Sequence, residues 1–140
     1  MTKASGKAAR IRVLIVDDSF LMRRVIRNIL EKDPDFEVVD EAANGLEALE
    51  CATRDQPHVI LLDIEMPKMD GLEFLRHAAP LTNARVVVIS SVAQLGSPQA
   101  MEALSLGATD IVPKPSGVLS MDLEEKKSQE LLGVIRKAVA

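Results

Sequence analysis

Five short stretches of the chain are almost wholly Val, Ile and Leu, and between them apolar positions recur at helical spacing. The stretches predict strands at 11–16, 36–40, 58–62, 85–90 and 109–112. Met22, Val25, Ile26, Ile29 and Leu30 make one apolar helical face, with Ser19 suited to its N-cap and Pro34 to its termination. Two further helices open at Asn44-Gly45-Leu46-Glu47 and Asp70-Gly71-Leu72-Glu73, each with an acid three residues after the capping side chain. Ser97 followed by Pro98 begins a fourth, which Gly107 ends. The last runs from about 122 to 139 and buries Leu131, Val134, Ile135 and Ala138.

Strands each followed by a helix imply parallel pairing through right-handed crossovers. The unbroken apolar content of strands one, three and four fits burial on both faces. The expected fold is α/β: a flavodoxin-like (βα)5 doubly wound parallel sheet of order 2-1-3-4-5. One domain spans 11–140, after a lead-in at 1–10 that is small, polar and basic and is expected to be disordered. Pro115-Ser116-Gly117 reads as a turn.

Composition narrows the function by exclusion. The 140 residues are 47% hydrophobic and 27% charged, ordinary for a soluble domain. A net charge of −4 with scattered basic residues argues against nucleic acid. The densest basic group, Arg23, Arg24 and Arg27, reads as a solvated helix face. Cys51 is the single cysteine, so a reducing compartment is expected. No apolar run approaches a membrane span, and the first residues lack a signal core, which together predict a cytoplasmic protein.

The chemistry sits where strands end. Asp17 and Asp18 follow the first strand, Asp63 ends the third, and Lys114 follows the fifth. Strand carboxyl ends of an open parallel sheet converge on one crevice. Three carboxylates there repel one another by roughly 4 kcal/mol per pair at ~4 Å and an effective dielectric of about 20. A hard divalent cation relieves that. Magnesium favours near-octahedral oxygen ligation from one or two carboxylates plus water and phosphate oxygens. Asp18 and Asp63 each offer an oxygen, Asp17 can hold a bound water, and the backbone carbonyl of Glu65 can add a ligand. Asp63 is the best nucleophile, since a carboxylate attacks phosphorus to give an acyl phosphate. Lys114 neutralises charge on the transferred group, and Ser90 can hydrogen-bond a phosphoryl oxygen. Ser91 rivals Ser90, because strand alternation points the two in different directions.

Asp17-Asp18-Ser19, the segment Asp63-Ile64-Glu65-Met66-Pro67-Lys68-Met69-Asp70-Gly71, Ser90 and Lys114-Pro115 together resemble the signature of bacterial response-regulator receiver domains, over about residues 11 to 139. The resemblance implies Asp63 as phospho-acceptor, Asp17 and Asp18 as magnesium acids, and Ser90 and Lys114 as readers of the phosphate. It also implies a histidine kinase as partner and a cis bond before Pro115. Asp17 through Arg24, Ser90-Ser91, Lys114 through Gly117 and Val118 through Glu124 further resemble the receiver half of chemotaxis protein-glutamate methylesterases. That implies a chemotaxis kinase and either a C-terminal esterase domain or a separate output protein. No Ser/His/Asp set for esterase chemistry lies within 140 residues, so as an enzyme the chain would only gain and lose its own phosphoryl group. One departure is Ile111, where receivers carry Tyr or Phe as a toggle.

Other features read more plainly. Met66 and Met69 suit packing rather than metal, and His58 and His77 lack partners for zinc. Cys51 is a small thiol, and Asp70-Gly71 is turn and cap. Glu65 hangs over the crevice, where it influences a hydrolytic water or is simply solvated. A haloacid dehalogenase-type phosphatase also uses an aspartate nucleophile, but it expects a second aspartate where Glu65 stands, and a cap insertion for which the chain has no room. A flavin module is weaker still, since acids in the crevice repel the cofactor phosphate.

Overall fold

Alternation of inward-facing side chains on each strand decides the architecture. In this computed structural model, residues 10–66, 68–91, 94–115 and 121–140 are described, apart from the side chains of 121–124. In chain order the elements are β1 (Ile11–Val16), α1 (Phe20–Glu31), β2 (Phe36–Ala42), α2 (Gly45–Asp55), β3 (Val59–Asp63), α3 (Gly71–Ala78), β4 (Arg85–Ser90), α4 (Pro98–Ser105), β5 (Asp110–Pro113) and α5 (Met121–Val139). The strands pair in parallel in the order β2-β1-β3-β4-β5, as the sequence predicts. The expected disorder of 1–10 concerns residues 1–9, which lie outside the described residues, as do 116–120 of the expected turn.

Leu14, Val16, Ile60, Leu62, Val86 and Val88 pack on one face against α2, α3 and α4. Val13, Ile15, Val59, Leu61, Val87 and Ile89 pack on the other against α1 and α5. The period of two along each strand therefore builds two cores from one sheet. α5 contributes Leu131, Ile135 and Ala138, and buries Leu132 more deeply than Val134. The capping side chains act as expected: Ser19, Asn44, Asp70 and Ser97 accept from the backbone N–H groups of Met22, Glu47, Glu73 and Ala100.

Two details differ from the sequence reading. β2 runs on to Ala42, which pairs with Val16, and the β1–β2 register shifts at Val13/Leu14: Val13 pairs with Val38, but Leu14 pairs with Asp40. A one-residue slip sends every later side chain to the opposite face. Asp40 consequently shares the α2 side with Leu14, and Glu41 shares the α1 side with Ile15. Arg23 and Arg27 are then not a solvated face. Their guanidinium groups reach Glu41 at 3.0 and 2.5 Å, while Arg24 stays exposed. Second, no peptide bond among the described residues is cis, so the bond before the buried Pro115 is trans, the form X-Pro bonds still prefer by about 0.5–1 kcal/mol.

The loop between β3 and α3 is held by two glycines. Gly45 donates its N–H to the Met69 carbonyl at 2.9 Å, and a Cβ on Gly45 would lie 2.2 Å from that oxygen. Gly71 donates to the Ile64 carbonyl at 2.9 Å, and a Cβ there would meet Ile64 Cα at 2.6 Å and the Asp63 carbonyl at 2.7 Å. Lys68 and Met69 both take positive φ to complete the turn. The close backbone approach at Gly71 thus sets where Asp63 leaves the sheet. Gly71→Ala is expected to lose about 1–3 kcal/mol, as overpacked sites do, in urea unfolding monitored by circular dichroism. An unchanged midpoint and slope would show that the loop yields freely.

Candidate functional site

The strands that border the crevice deliver their polar groups at their carboxyl ends. Asp17 follows β1 and is fully buried. Its backbone N–H donates to the Ala42 carbonyl at 3.0 Å, and Oδ1 accepts the Ser19 N–H at 2.8 Å. Asp18, the next residue, is exposed. Asp63 closes β3 with 4% exposure, and its Oδ1 accepts the Glu65 N–H at 3.2 Å. The three carboxylates each offer an oxygen, all within 4.8 Å of one another.

Lys114 supplies the counter-charge. Its Nζ lies 3.3 Å from both Asp63 Oδ2 and Asp17 Oδ2. Only the contact to Asp63 has hydrogen-bond geometry, so Asp17 Oδ2 is a buried acceptor without a hydrogen bond among the described residues. Burial, and then the charge on Asp17, push the Asp63 carboxyl up to about 6, against the pull of Lys114 and the Glu65 N–H. Burial alone would lower Lys114, but the facing carboxylates of Asp63 and Asp17 more than offset it and raise its pKa. One ammonium is thus shared between two buried acids, Asp17 and Asp63.

This arrangement fits magnesium on two counts. The donor set is all oxygen, as a hard cation requires. A buried carboxylate oxygen lacking a hydrogen bond is costly and is satisfied by a cation. A second acidic cluster, Asp40, Cys51 and Asp55, differs: Arg54 already pairs with both acids, and burial followed by the charge of Asp40 pushes the Cys51 thiol up to about 11. That site is closed.

The remaining candidates separate by position. Ser90 is buried at the end of β4, and Ser91 beside it is exposed. Both line a crevice of about 30 Å³, room for one water molecule, with Asp63, Glu65 and Lys114. The Glu65 side chain is exposed. The Ser90 carbonyl accepts the Lys114 N–H at 2.8 Å, so the two strand ends are tied through the backbone. Ile111 is half-buried against the layer of α2, α3 and α4. Gln94, Ser97 and Gln99, which the sequence reading did not single out for this site, also line the crevice from the start of α4. Their only signal was their closeness to Ser90 in the chain. Met66 is buried in the core, and His77 is exposed. His58 accepts the Arg12 N–H through Nδ1 at 3.0 Å, so it serves the backbone.

The chain has relatives among known proteins. The response regulator receiver domain family matches residues 13–122. A protein-glutamate methylesterase/protein-glutamine glutaminase of Carboxydothermus hydrogenoformans is 48% identical over 132 residues, covering 94% of this chain but 37% of that protein. A counterpart from Pyrococcus abyssi is 42% identical, covering 92% of this chain and 35% of its own length. The chain thus spans little more than a third of these curated relatives. Among solved structures, the response regulator domain of Thermotoga maritima CheB superposes with a TM-score of 0.82 at 42% identity, covering 93% of this chain and 96% of that one. A chain from the complex of the CheA3 P1 domain with CheY6 of R. sphaeroides gives 0.78 at 45% identity, covering 94% and 98%.

The raised Asp63 carboxyl has a measurable sign. Folded, it holds its proton up to about 6, against an ordinary 3.8 in the unfolded chain. Between these values the folded state binds more protons, so stability falls as pH rises through the window. Without metal, Asp63→Asn should be more stable than the parent by on the order of 1 kcal/mol at pH 8, after discounting for screening at the crevice mouth. The gain should shrink towards pH 4. Thermal melts in chelator across that range check it; an equal gain at both ends would mean the charge is not its source.

Proposed function

The chain belongs to the response regulator receiver domain family, and on that footing we propose that it is a signalling switch thrown by magnesium-assisted phosphorylation of Asp63. The observation that supports this most is Lys114, equidistant at 3.3 Å from Asp63 and from the Asp17 oxygen that lacks a hydrogen bond. A nucleophile, a cationic side chain and a pair of neighbouring acids stand side by side.

Asp17, Asp18 and Asp63, with the Glu65 carbonyl, would hold a magnesium ion, which when bound neutralises charge on the phosphoryl oxygens. Asp63 forms the new O–P bond. The phosphorus bond to the donor, a histidine nitrogen of a kinase, breaks with its electron pair going to nitrogen, and the imidazole takes a solvent proton. At neutral pH a carboxyl near 6 is mostly ionised, so Asp63 is ready as nucleophile. Lys114 exchanges its contact with the carboxylate for one with a phosphoryl oxygen. Ser90 offers its hydroxyl to another, with Ser91 at the mouth as the second hydroxyl. Catalysis of this kind is positioning and charge neutralisation.

Output follows from the strand ends. Because the Lys114 N–H is bonded to the Ser90 carbonyl, movement of either residue towards the phosphate pulls on β4 and β5 together. That biases a two-state equilibrium in the surface of α4, β5 and α5. The segment carries half-buried Ile111 and buried Pro115, so the coupling runs without an aromatic toggle.

Similarity to protein-glutamate methylesterases and to the response regulator domain of CheB prompts the finer reading: a cytoplasmic chemotaxis setting, with a chemotaxis histidine kinase as donor and a C-terminal esterase domain as the partner the switch controls. Among the described residues no helix is long and apolar enough to cross a membrane, and the net charge of −4 does not favour nucleic acid. A second reading is a receiver acting on a separate protein, prompted by the similarity to a chain from the complex of the CheA3 P1 domain with CheY6. The reading frame beyond Ala140 distinguishes them.

Incubation with magnesium and acetyl phosphate should add one phosphoryl mass, lost on treatment with hydroxylamine, and acetate should be released in equal amount. Asp63→Asn should abolish labelling, since an amide is a poor nucleophile. Persistent single-site labelling of that variant, by mass spectrometry, would place the acceptor elsewhere.

A further inference from the structure

We infer that Arg23 is a positioning residue for the acid pair Asp17-Asp18, held in place by Glu41 and Arg27. The inference rests on the reading of these acids as the magnesium site. It starts from the Asp17 carbonyl, which belongs to the peptide joining the two acids. Arg23 donates to that carbonyl from a guanidinium nitrogen at 2.7 Å, and from Nε to Glu41 Oε1 at 3.0 Å. With its N–H on Ala42, Oδ1 on Ser19 and carbonyl on Arg23, Asp17 keeps Oδ2 as its one polar atom without a hydrogen bond, facing the Lys114 ammonium at 3.3 Å. The grip on the carbonyl also sets the peptide plane from which the exposed Asp18 projects.

A guanidinium beside a cation site is unfavourable unless its charge is answered. Here it is answered in alternation. Glu41 takes Arg23 on one oxygen and Arg27 on the other, and Arg27 reaches on to Glu31 at 3.1 Å. Burial alone would raise the Glu41 carboxyl, but hydrogen bonds from Arg27 and Arg23 hold it below the usual range. The two arginines and two glutamates sum to zero, so Arg23 acts on Asp17 through a hydrogen bond rather than through net charge. Glu41 also keeps Arg23 from swinging into the acids and taking the cation's place. The register shift at Val13/Leu14 is what turns Glu41 towards α1.

Three accounts of Arg23 predict different magnesium affinities. Partners that orient metal ligands typically cost tenfold or more in affinity when removed, so positioning predicts that Arg23→Met binds magnesium about tenfold more weakly. Charge alone predicts tighter binding, because a nearby cation is gone. A merely structural ion pair predicts a lower melting temperature with unchanged affinity. Isothermal titration of the full chain with magnesium chloride separates them, with backbone amide NMR shifts of Asp18 and Ser19 in chelator as a metal-free readout of the loop. Arg23→Lys keeps the charge but not the planar fork that spans carbonyl and carboxylate, so it should fall between parent and Arg23→Met. It also decides the matter if Arg23→Met does not fold. Affinity equal to or tighter than the parent in the folded variants would overturn the inference. Failure of the parent to bind magnesium, or parental affinity in Asp18→Asn, would overturn the underlying reading as well, and the two failures are distinct.

Discussion

Repulsion among Asp17, Asp18 and Asp63 is the constraint on which the rest of the site depends. At separations under 5 Å, each ionised pair costs on the order of 3 kcal/mol at an effective dielectric of about 20. Among the described residues one ammonium, Lys114, contacts Asp17 and Asp63, and Asp18 makes a third carboxylate within reach of both. The imbalance is registered in Asp63, whose carboxyl rises to about 6 despite that ammonium. A fold selected for stability alone would not gather these groups. On the proposed reading, the imbalance is a driving force for binding a cation, and then a polarised place for a phosphoryl group.

The scaffold holds that repulsion because its strain is confined to strand ends. Both faces of β3 are closed by apolar side chains up to Leu62, so Asp63 cannot retreat into solvent without disturbing two cores. Gly71 packs against the backbone of Asp63 and Ile64, and Gly45 packs against Met69. Asp17 is fixed through its backbone and one carboxylate oxygen. Ser90 and Lys114 are tied by a backbone bond, so the groups that would read a phosphate move with the strands that carry them.

The fold was legible because its strands are nearly pure Val, Ile and Leu, and its helices carry visible caps and a helical period. Asp17, Asp18, Asp63 and Lys114 were legible as one cluster because topology alone sends parallel strand ends to a common crevice. The bulge in β2 was not legible. Val38-Val39 reads as ordinary strand, and nothing local marks the slip that exchanges the faces of Asp40 and Glu41. Arg23 and Arg27, four apart on one helix, therefore looked solvated, since their partner lies on a strand whose facing could not be read. The cis bond that the family resemblance implied before Pro115 is trans. Residue type does not decide between two isomers so close in energy.

The claim that this crevice exists to hold a cation beside an acyl phosphate is tested most directly by a crystal structure with magnesium and beryllofluoride. Beryllium should be bonded to an Asp63 carboxylate oxygen. Magnesium should stand about 2.0–2.1 Å from oxygens of Asp18, Asp63 and the Glu65 carbonyl, with Asp17 holding a metal-bound water, Lys114 on one fluorine and a serine hydroxyl on another. Magnesium absent from the three aspartates, or beryllium bound to a different carboxylate, would contradict the account.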